Sequence, residues 1–160
     1  MSFHLSLNTE TVMTAYPDDP IIVAPDATAS EVMLLMQIHK SACVLVCEGG
    51  KLVGIFTDRD ALRWMALQSA ANAKSRSDQP IGELMTARPA SLSSTTCVGE
   101  AIRKMSAGRY RHLPIVDGNQ LAIGVASVNG IVRYLVEHFP QTIYTLPPQP
   151  GKVPSEREGA

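Results

Sequence analysis

The sequence of 160 residues has almost no excess of charge of either sign and no long apolar run. Its 14 basic and 15 acidic residues leave a formal net charge of −1, which gives no general attraction to nucleic acid or to an anionic membrane surface. The apolar runs at 44–46 and 64–67 are far shorter than the roughly 20 residues of a membrane-spanning helix. Residues 1–9 contain no Lys or Arg and lead into no apolar stretch typical of a signal peptide. The sequence therefore predicts a soluble protein of the cytoplasm.

Cysteine is scarce, and its odd count of 3 gives no paired framework. Cys43 and Cys47 lie four residues apart on a predicted strand, so their side chains share a face. No second pair and no histidine at ligand spacing accompanies them. We interpret them as buried thiols and predict no metal site, with zinc or disulfide chemistry as the alternative.

The motifs of several large enzyme classes are also missing. The sequence has no Gly-x-x-x-x-Gly-Lys-Ser/Thr phosphate loop, no Gly-x-Gly-x-x-Gly turn and no His-Glu-x-x-His helix. No nucleophile, base or metal set stands in a recognisable setting. With 45% hydrophobic and 18% charged residues, the composition is that of a globular domain. These features predict a folded protein that is not an enzyme.

What the sequence does have is an internal repeat. Four short elements recur in the same order at an offset of about 69 to 72 residues, with small insertions only between them. The pairs are Val12-Met13-Thr14 with Leu84-Met85-Thr86, Ser30-Glu31-Val32 with Gly99-Glu100-Ala101, Val44-Leu45-Val46 with Pro114-Ile115-Val116, and 52–57 with 122–127. Four ordered matches indicate a duplicated unit.

Each copy shows the same order of predicted elements. A short strand leads to a helix with Val32 and Met36 at helical spacing, and a hairpin with Gly-containing turns and a closing helix follow. Ser30 or a neighbour is predicted to cap the first helix. One β-α-β-β-α unit cannot bury its sheet face alone, but two copies can bury theirs against each other. We predict an α/β (α+β) fold of two such units packed sheet to sheet with pseudo-two-fold symmetry and clefts between them.

The predicted boundaries follow from this repeat. Residues 1–75 hold the first copy with its N-terminal segment, and residues 76–140 hold the second. Residues 141–160 form a Pro-rich tail that is too poor in apolar residues to fold alone.

These motifs resemble the CBS repeat, and two copies in tandem resemble the Bateman module. The resemblance covers roughly residues 10 to 138. It implies a nucleotide site in the cleft, with ribose and phosphate on the Ser/Thr-x-x-Asp element of one copy. Adenine would rest on the early strand of the other copy, whose basic residues would meet the phosphate. The implied binding residues are Ile55, Thr57, Asp58, Arg59 and Asp60 of the first copy, and Pro89, Ala90, Ser91, Arg109, Arg111, His112 and Pro114 of the second.

The chemistry of these residues suits the implied roles. The Asp60 carboxylate can accept hydrogen bonds from two ribose hydroxyls, and Thr57 offers a hydroxyl to a phosphate oxygen. Arg111 can fork onto phosphate oxygens, and His112 changes its charge near neutral pH. The alternatives are structural: Asp60 as only the N-cap of a helix, and Arg109 and Arg111, at alternating positions of one strand, as a solvated face.

The related second cleft departs from the pattern. Its element runs from Ser127 to Gly130 and has glycine where the ribose carboxylate belongs. Ser41 and Ala42 stand where the first cleft has Arg111 and His112. We predict one competent nucleotide site and a second cleft that is vestigial or differently used.

The resemblance implies a non-catalytic regulatory sensor. It would bind AMP, ADP or ATP, with S-adenosylmethionine and NADH less favoured, form a homodimer and signal to a separate effector protein. The alternative is a dimerisation or docking scaffold with no nucleotide. Nucleic-acid binding through residues 109–112 is a third, less favoured interpretation.

Overall fold

The computed structural model describes residues 7–70, 79–140 and 143. In these ranges each copy of the repeat carries two long helices, and a single 3₁₀ turn precedes each copy. The helices are α1 (Ala29–Ile38), α2 (Asp58–Ala70), α3 (Val98–Gly108) and α4 (Val128–His138), and the turns are Val12–Thr14 and Ile81–Glu83. The predicted tail at 141–160 and most of the linker between the copies lie outside the described residues. None of the described helices is long and apolar enough to cross a bilayer.

The strands form two separate sheets, one for each copy. Their bounds are β1 (Ile22–Val23), β2 (Cys43–Glu48), β3 (Lys51–Thr57), β4 (Thr86–Ala87), β5 (Leu92–Ser93), β6 (His112–Val116) and β7 (Ala122–Ser127). The first sheet has the order β1-β2-β3-β4 and the second β5-β6-β7. In both copies the short first strand pairs in parallel with a central strand, which pairs antiparallel with the last. The predicted β-α-β-β-α order is confirmed.

Strand β2 shows why the two sheets pack face to face. Its alternate side chains Val44 and Val46 enter the core beneath the helices of the first copy. The other set, Cys43, Leu45 and Cys47, lies in a cluster that also contains Val125 of the second sheet. Such alternation buries both faces of a strand only if another sheet covers the second face. The predicted sheet-to-sheet packing and the predicted burial of both thiols are confirmed.

Each copy opens with a segment that packs on the other copy. The first lead-in (residues 7–18) places Val12, which is fully buried, in the core of the second copy. Its Asp18 forms a β-bridge with Val125 of β7. The hydroxyl of Tyr134 on α4 donates to Glu10, and that of Tyr16 donates to Glu137. The lead-in is therefore tied to the second copy along its length.

The second lead-in (residues 80–87) makes the reciprocal contacts. Ile81 is fully buried in the core of the first copy, and β4 adds a fourth strand to the first sheet beside β3. Burial of a side chain of this size contributes about 2 kcal/mol or more. The copies thus exchange their opening segments, an arrangement that the sequence comparison did not show. Division of the chain at residue 75 remains a prediction of the sequence alone.

The exchanged segments also correct the alignment of the repeats. The sequence pairs Val12 with Leu84, at an offset of 72 residues. In the fold, the turns at Val12–Thr14 and Ile81–Glu83 occupy equivalent places, and Val12 and Ile81 are both fully buried. The similarity of two Met-Thr pairs misplaced the match by three residues, because burial rather than identity defines the equivalent position.

The first helix of each copy begins at the same backbone geometry but with different caps. Thr28, with φ −77° and ψ 152°, accepts from the Glu31 amide, and Glu31 accepts in return from the Thr28 amide. This capping box confirms that a neighbour of Ser30 caps α1. Cys97 stands before α3 with φ −75° and ψ 155°, and its side chain makes no cap hydrogen bond.

Candidate functional site

A cavity of about 370 Å³ lies where the two copies meet, and we call it the first cavity. Most of the predicted site residues line it, although they come from segments far apart in the sequence. From the first copy these are Ile55, Thr57, Arg59 and Asp60, and from the second Pro89, Ala90, Arg109, Arg111, His112 and Pro114. The structure thus brings together ten of the predicted residues, while Asp58 and Ser91 do not line the cavity.

Asp60 is held in a fixed orientation by Thr57, the residue that precedes its helix. Its Oδ2 accepts from the Thr57 amide at 3.0 Å and from the Thr57 hydroxyl at 2.9 Å. The Asp60 amide donates to Thr57 Oγ1 at 3.3 Å. Because α2 begins at Asp58, Thr57 precedes it as the cap and Asp60 is the third helical residue. The structural alternative that made Asp60 the N-cap was therefore wrong.

Asp58 and Ser91 have other contacts. Oδ1 of Asp58 lies 2.8 Å from Nη2 of Arg111, in an ion pair that joins the two copies, and both side chains are about half exposed. The carbonyl of Ser91 accepts from Nζ of Lys104 at 2.7 Å. Asp58 therefore acts on the first cavity through Arg111, and an anionic ligand must compete with it for that guanidinium.

Arg109 reaches the cavity by a different route from the predicted one. It ends α3 in the left-handed region, with φ 55°, and strand β6 begins only at His112. Arg109 and Arg111 therefore do not alternate on one strand, as the sequence analysis supposed. Both arginines nevertheless line the first cavity.

Two further arginines, Arg63 and Arg88, and also Thr86 line the cavity and were missed in the sequence. Tyr110 and Leu113, which lie between the implied binding residues of the second copy, line it as well. Arg63 lies three residues after Asp60 on α2, with Nη1 at 3.9 Å from Oδ1, so helical spacing could have identified it. Arg88 follows the exchanged second lead-in, so no local pattern indicated it. In total five arginines line the cavity, and Asp60 is the one acidic residue in its described wall.

His112 lies between the first cavity and a second one. Burial lowers the pKa of the imidazole, and the neighbouring Arg111 guanidinium lowers it further. Asp58 and Asp18 raise the same pKa by a smaller amount. Burial and Arg111 thus favour the neutral ring, and the two carboxylates oppose them.

The second cavity, of about 610 Å³, is formed by the equivalent parts of the two copies. Its walls are Asp18, Asp19, Pro20, Ile21, His39, Lys40, Ser41, Ala42, Cys43, His112, Val125, Ser127 and Asn129. The Asp58 amide donates to the Ala42 carbonyl at 2.8 Å, as the Val128 amide donates to that of Arg111 at 3.0 Å. Ala42 and Cys43 therefore match Arg111 and His112, one residue later than the pairing with Ser41 and Ala42 that the sequence suggested.

Gly130 occupies the position of Asp60 in the second copy because no side chain fits there. A Cβ on Gly130 would lie 2.5 Å from the Tyr16 carbonyl oxygen and 2.9 Å from that of Ala15. The Gly130 amide donates to Ser127 Oγ at 3.1 Å, so the helix start itself matches that of α2. The backbone of the first lead-in takes the space that a ribose carboxylate would need.

The sequence profile of the CBS domain matches the chain twice, at residues 10–67 and 81–137. CBS domain-containing protein YhcV of Bacillus subtilis is 33% identical over 111 residues, which are 67% of this chain and 76% of that protein.

Solved structures of CBS-domain pairs share the fold. The structure of CBSX2 of Arabidopsis thaliana in complex with AMP superposes with a TM-score of 0.68 at 24% sequence identity. The aligned region covers 80% of this chain and 97% of the CBSX2 chain. The CBS domain pair of MJ0100, in complex with 5′-methylthioadenosine and S-adenosyl-L-methionine, has a TM-score of 0.66 at 25% identity and covers 78% and 98%. With both copies matched and the fold shared, the chain belongs to the CBS-domain family as a tandem pair.

Proposed function

We propose that the chain is a non-catalytic sensor that binds an adenine nucleotide, AMP, ADP or ATP, in the first cavity. One observation carries this proposal: Asp60, whose carboxylate is held by Thr57, and five arginines line one cavity between the copies. A carboxylate accepts hydrogen bonds from ribose hydroxyls, and guanidinium groups bind phosphate oxygens in pairs. The arrangement suits a ligand with a sugar at one end and phosphate at the other.

The apolar residues that line the first cavity suit the adenine ring of a nucleotide. Ile55, Ala90, Leu113 and Pro114 offer hydrophobic surface for a flat ring between the two copies. The structures of CBSX2 and of the MJ0100 pair hold AMP, 5′-methylthioadenosine and S-adenosylmethionine. All three ligands contain adenosine, which supports an adenosine ligand here.

The charge of the cavity favours phosphate over a sulfonium ligand. S-adenosylmethionine brings a positive sulfur, which the cluster of arginines repels. A nucleotide brings two or more negative charges, which the same groups attract. Among adenosine compounds we therefore propose that AMP, ADP and ATP bind more tightly than S-adenosylmethionine.

Calorimetric titration with AMP, ADP, ATP, S-adenosylmethionine and NADH tests the proposal. We expect micromolar binding of at least one nucleotide at one site per chain. Asp60→Asn keeps an oxygen that can accept from Thr57 but removes the charge, and should weaken binding by about 10-fold or more. Asp19→Asn removes a carboxylate from the second cavity and is the matched control. Flat titrations across the panel would contradict nucleotide sensing and favour the scaffold.

Signalling requires a partner, and we propose a homodimer that acts on a separate effector protein. Apolar side chains are exposed on α2 and α4, including Leu62 at 66% and Val132 at 51%. A second copy of the chain is the proposed cover for these helices. Sedimentation equilibrium should give a dimer that Leu62→Glu dissociates, and a monomer at all concentrations would contradict the proposal. The cytoplasmic location remains a prediction of the sequence.

A further inference from the structure

His112 stands in the walls of both cavities. Among the described residues it is the one side chain that lines the first and the second cavity together. It begins β6 and pairs with Ser127 across the second sheet. Its equivalent in the first copy, Cys43, lines the second cavity and is buried with a pKa raised to about 12, so that thiol stays neutral. The duplicated position therefore has one group able to change charge near neutral pH.

Charged groups from three segments act on the imidazole. Arg111, from the first cavity, disfavours the imidazolium, while Asp58 at the start of α2 and Asp18 of the first lead-in favour it. Arg111 and Asp58 are paired with each other at 2.8 Å, so the net field on the ring depends on that pair. Asp18 lines the second cavity and is not part of the first.

We propose that His112 couples the two cavities: a phosphorylated ligand in the first cavity draws Arg111 away from Asp58, and His112 takes up a proton that Asp58 and Asp18 stabilise. The proton comes from solvent and adds to the unprotonated ring nitrogen, and no covalent bond of the ligand changes. This inference rests on the proposed nucleotide binding in the first cavity.

The direction of the effect follows from the charges. Burial and the Arg111 guanidinium lower the pKa of His112 and so favour the neutral ring. Bound phosphate adds negative charge and offsets that of Arg111, so the pKa rises and a proton is bound. Binding in the first cavity therefore adds positive charge to the wall of the second and strengthens as pH falls towards 6. By linkage, an anion in the second cavity then strengthens nucleotide binding in the first.

Other charged and titratable groups also face the two cavities. They are Arg59, Asp60, Arg63, Arg88, Arg109 and Tyr110 in the first cavity, and Asp19, His39, Lys40 and Cys43 in the second. Among these, burial raises the pKa of the Cys43 thiol to about 12, so this thiol stays neutral.

Titration calorimetry with ATP in two buffers of different ionisation enthalpy measures the protons taken up on binding. We expect wild type to take up roughly 0.3 proton per ATP more than His112→Gln at pH 6.5, with the difference vanishing at pH 8.5. Protonation of the ATP phosphates is common to both proteins and cancels in the difference. Equal proton uptake by the two proteins would overturn the inference while leaving nucleotide binding intact.

Two neighbouring carboxylates give a test that does not alter the first cavity. Asp18→Asn should reduce proton uptake, because it removes a charge that stabilises the imidazolium, whereas Asp19→Asn should behave as wild type. If His112→Gln abolishes ATP binding, the proton uptake of Asp18→Asn becomes the deciding measurement. An uptake equal to that of wild type in Asp18→Asn would then overturn the proposed coupling. Absence of ATP binding to wild type overturns the proposed function, and this inference with it.

Discussion

The two cavities are the same backbone arrangement used twice with different side chains. Arg109 and Lys40 follow equivalent helices, with φ of 55° and 50°, and each lines its own cavity. The amides of Asp58 and Val128 donate to equivalent carbonyls. Only the first cavity has a carboxylate at the helix start, since Gly130 takes that place in the second. Duplication has kept the scaffold and changed the chemistry that it holds.

The lead-ins make the largest difference in charge. Arg88, directly after the second lead-in, lines the first cavity, whereas Asp18 at the end of the first lead-in and the adjacent Asp19 line the second. The cavities therefore differ in the sign of the charge that an exchanged segment contributes. An anionic ligand should therefore bind much more tightly in the first cavity than in the second.

Gly130→Asp is the most direct attempt to make the second cavity resemble the first. We expect it to destabilise the protein by about 3 kcal/mol and to create no second nucleotide site, because the new Cβ meets two carbonyl oxygens of the first lead-in. Urea unfolding measures the loss. Gly118→Ala is the control, since its Cβ has no neighbour within 4 Å. A stable Gly130→Asp variant that binds two nucleotides per chain would contradict this explanation.

Arg109→Gln and Lys40→Gln remove equivalent positive charges from the two cavities. Loss of a phosphate contact should weaken ATP binding about 10-fold in Arg109→Gln, whereas Lys40→Gln should leave it within about twofold of wild type. Calorimetry at one fixed salt concentration checks both. Equal losses of ATP affinity in the two variants would contradict binding in the first cavity alone. They would mean that ATP occupies both cavities or that the two charges act on it at long range.

Cys97→Thr should make the helix caps of the two copies alike. The backbone at Cys97 already has the angles of Thr28, and Glu100 stands three residues later, as Glu31 does. We expect a gain of about 0.5–1 kcal/mol in the free energy of unfolding, and Thr28→Ala should cost about 1 kcal/mol. Thermal or urea unfolding measures both. A loss in Cys97→Thr would show that packing around the thiol outweighs the cap.

The smallest expected effect is on the pH dependence of stability. Hydrogen bonds from the amide and then the hydroxyl of Thr28 lower the pKa of exposed Glu31 in the folded state. The contribution of Glu31 to the free energy of unfolding is fully present above the pKa that it has in the unfolded chain. It is lost as the pH falls through the lower pKa of the folded state. Glu31→Gln should flatten that part of the stability profile. Unfolding measured between pH 6 and pH 2.5 would detect it, and identical profiles would contradict the capping role of the carboxylate.

The sequence was sufficient for the fold, and for most of the residues that line the first cavity, because its signals there are local and occur in both copies. The hairpin of β2 and β3 was recognisable from its turn and its alternation. The Thr57 to Asp60 element, and the contrast between Asp60 and Gly130, came from the resemblance to the CBS repeat. Two copies in one order made each weak motif reliable.

What the sequence missed depends on contacts between distant segments. Arg88 reaches the first cavity only because the second lead-in joins the first sheet, and the reason for Gly130 is the carbonyl of Tyr16 in the first lead-in. Arg109 was placed on a strand because alternation with Arg111 is typical of one. Its left-handed backbone is set by the end of α3.

The exchanged lead-ins bear on how the chain matures during synthesis. Val12 leaves the ribosome early, yet its place in the core is built by Leu113, Ile115 and Ile131. The core of the first copy, in turn, is incomplete until Ile81 has been synthesised. Neither copy can complete its core before most of the chain has been synthesised. We therefore expect the nascent protein to fold late and in a single cooperative step. A fragment ending near residue 75 should stay unfolded.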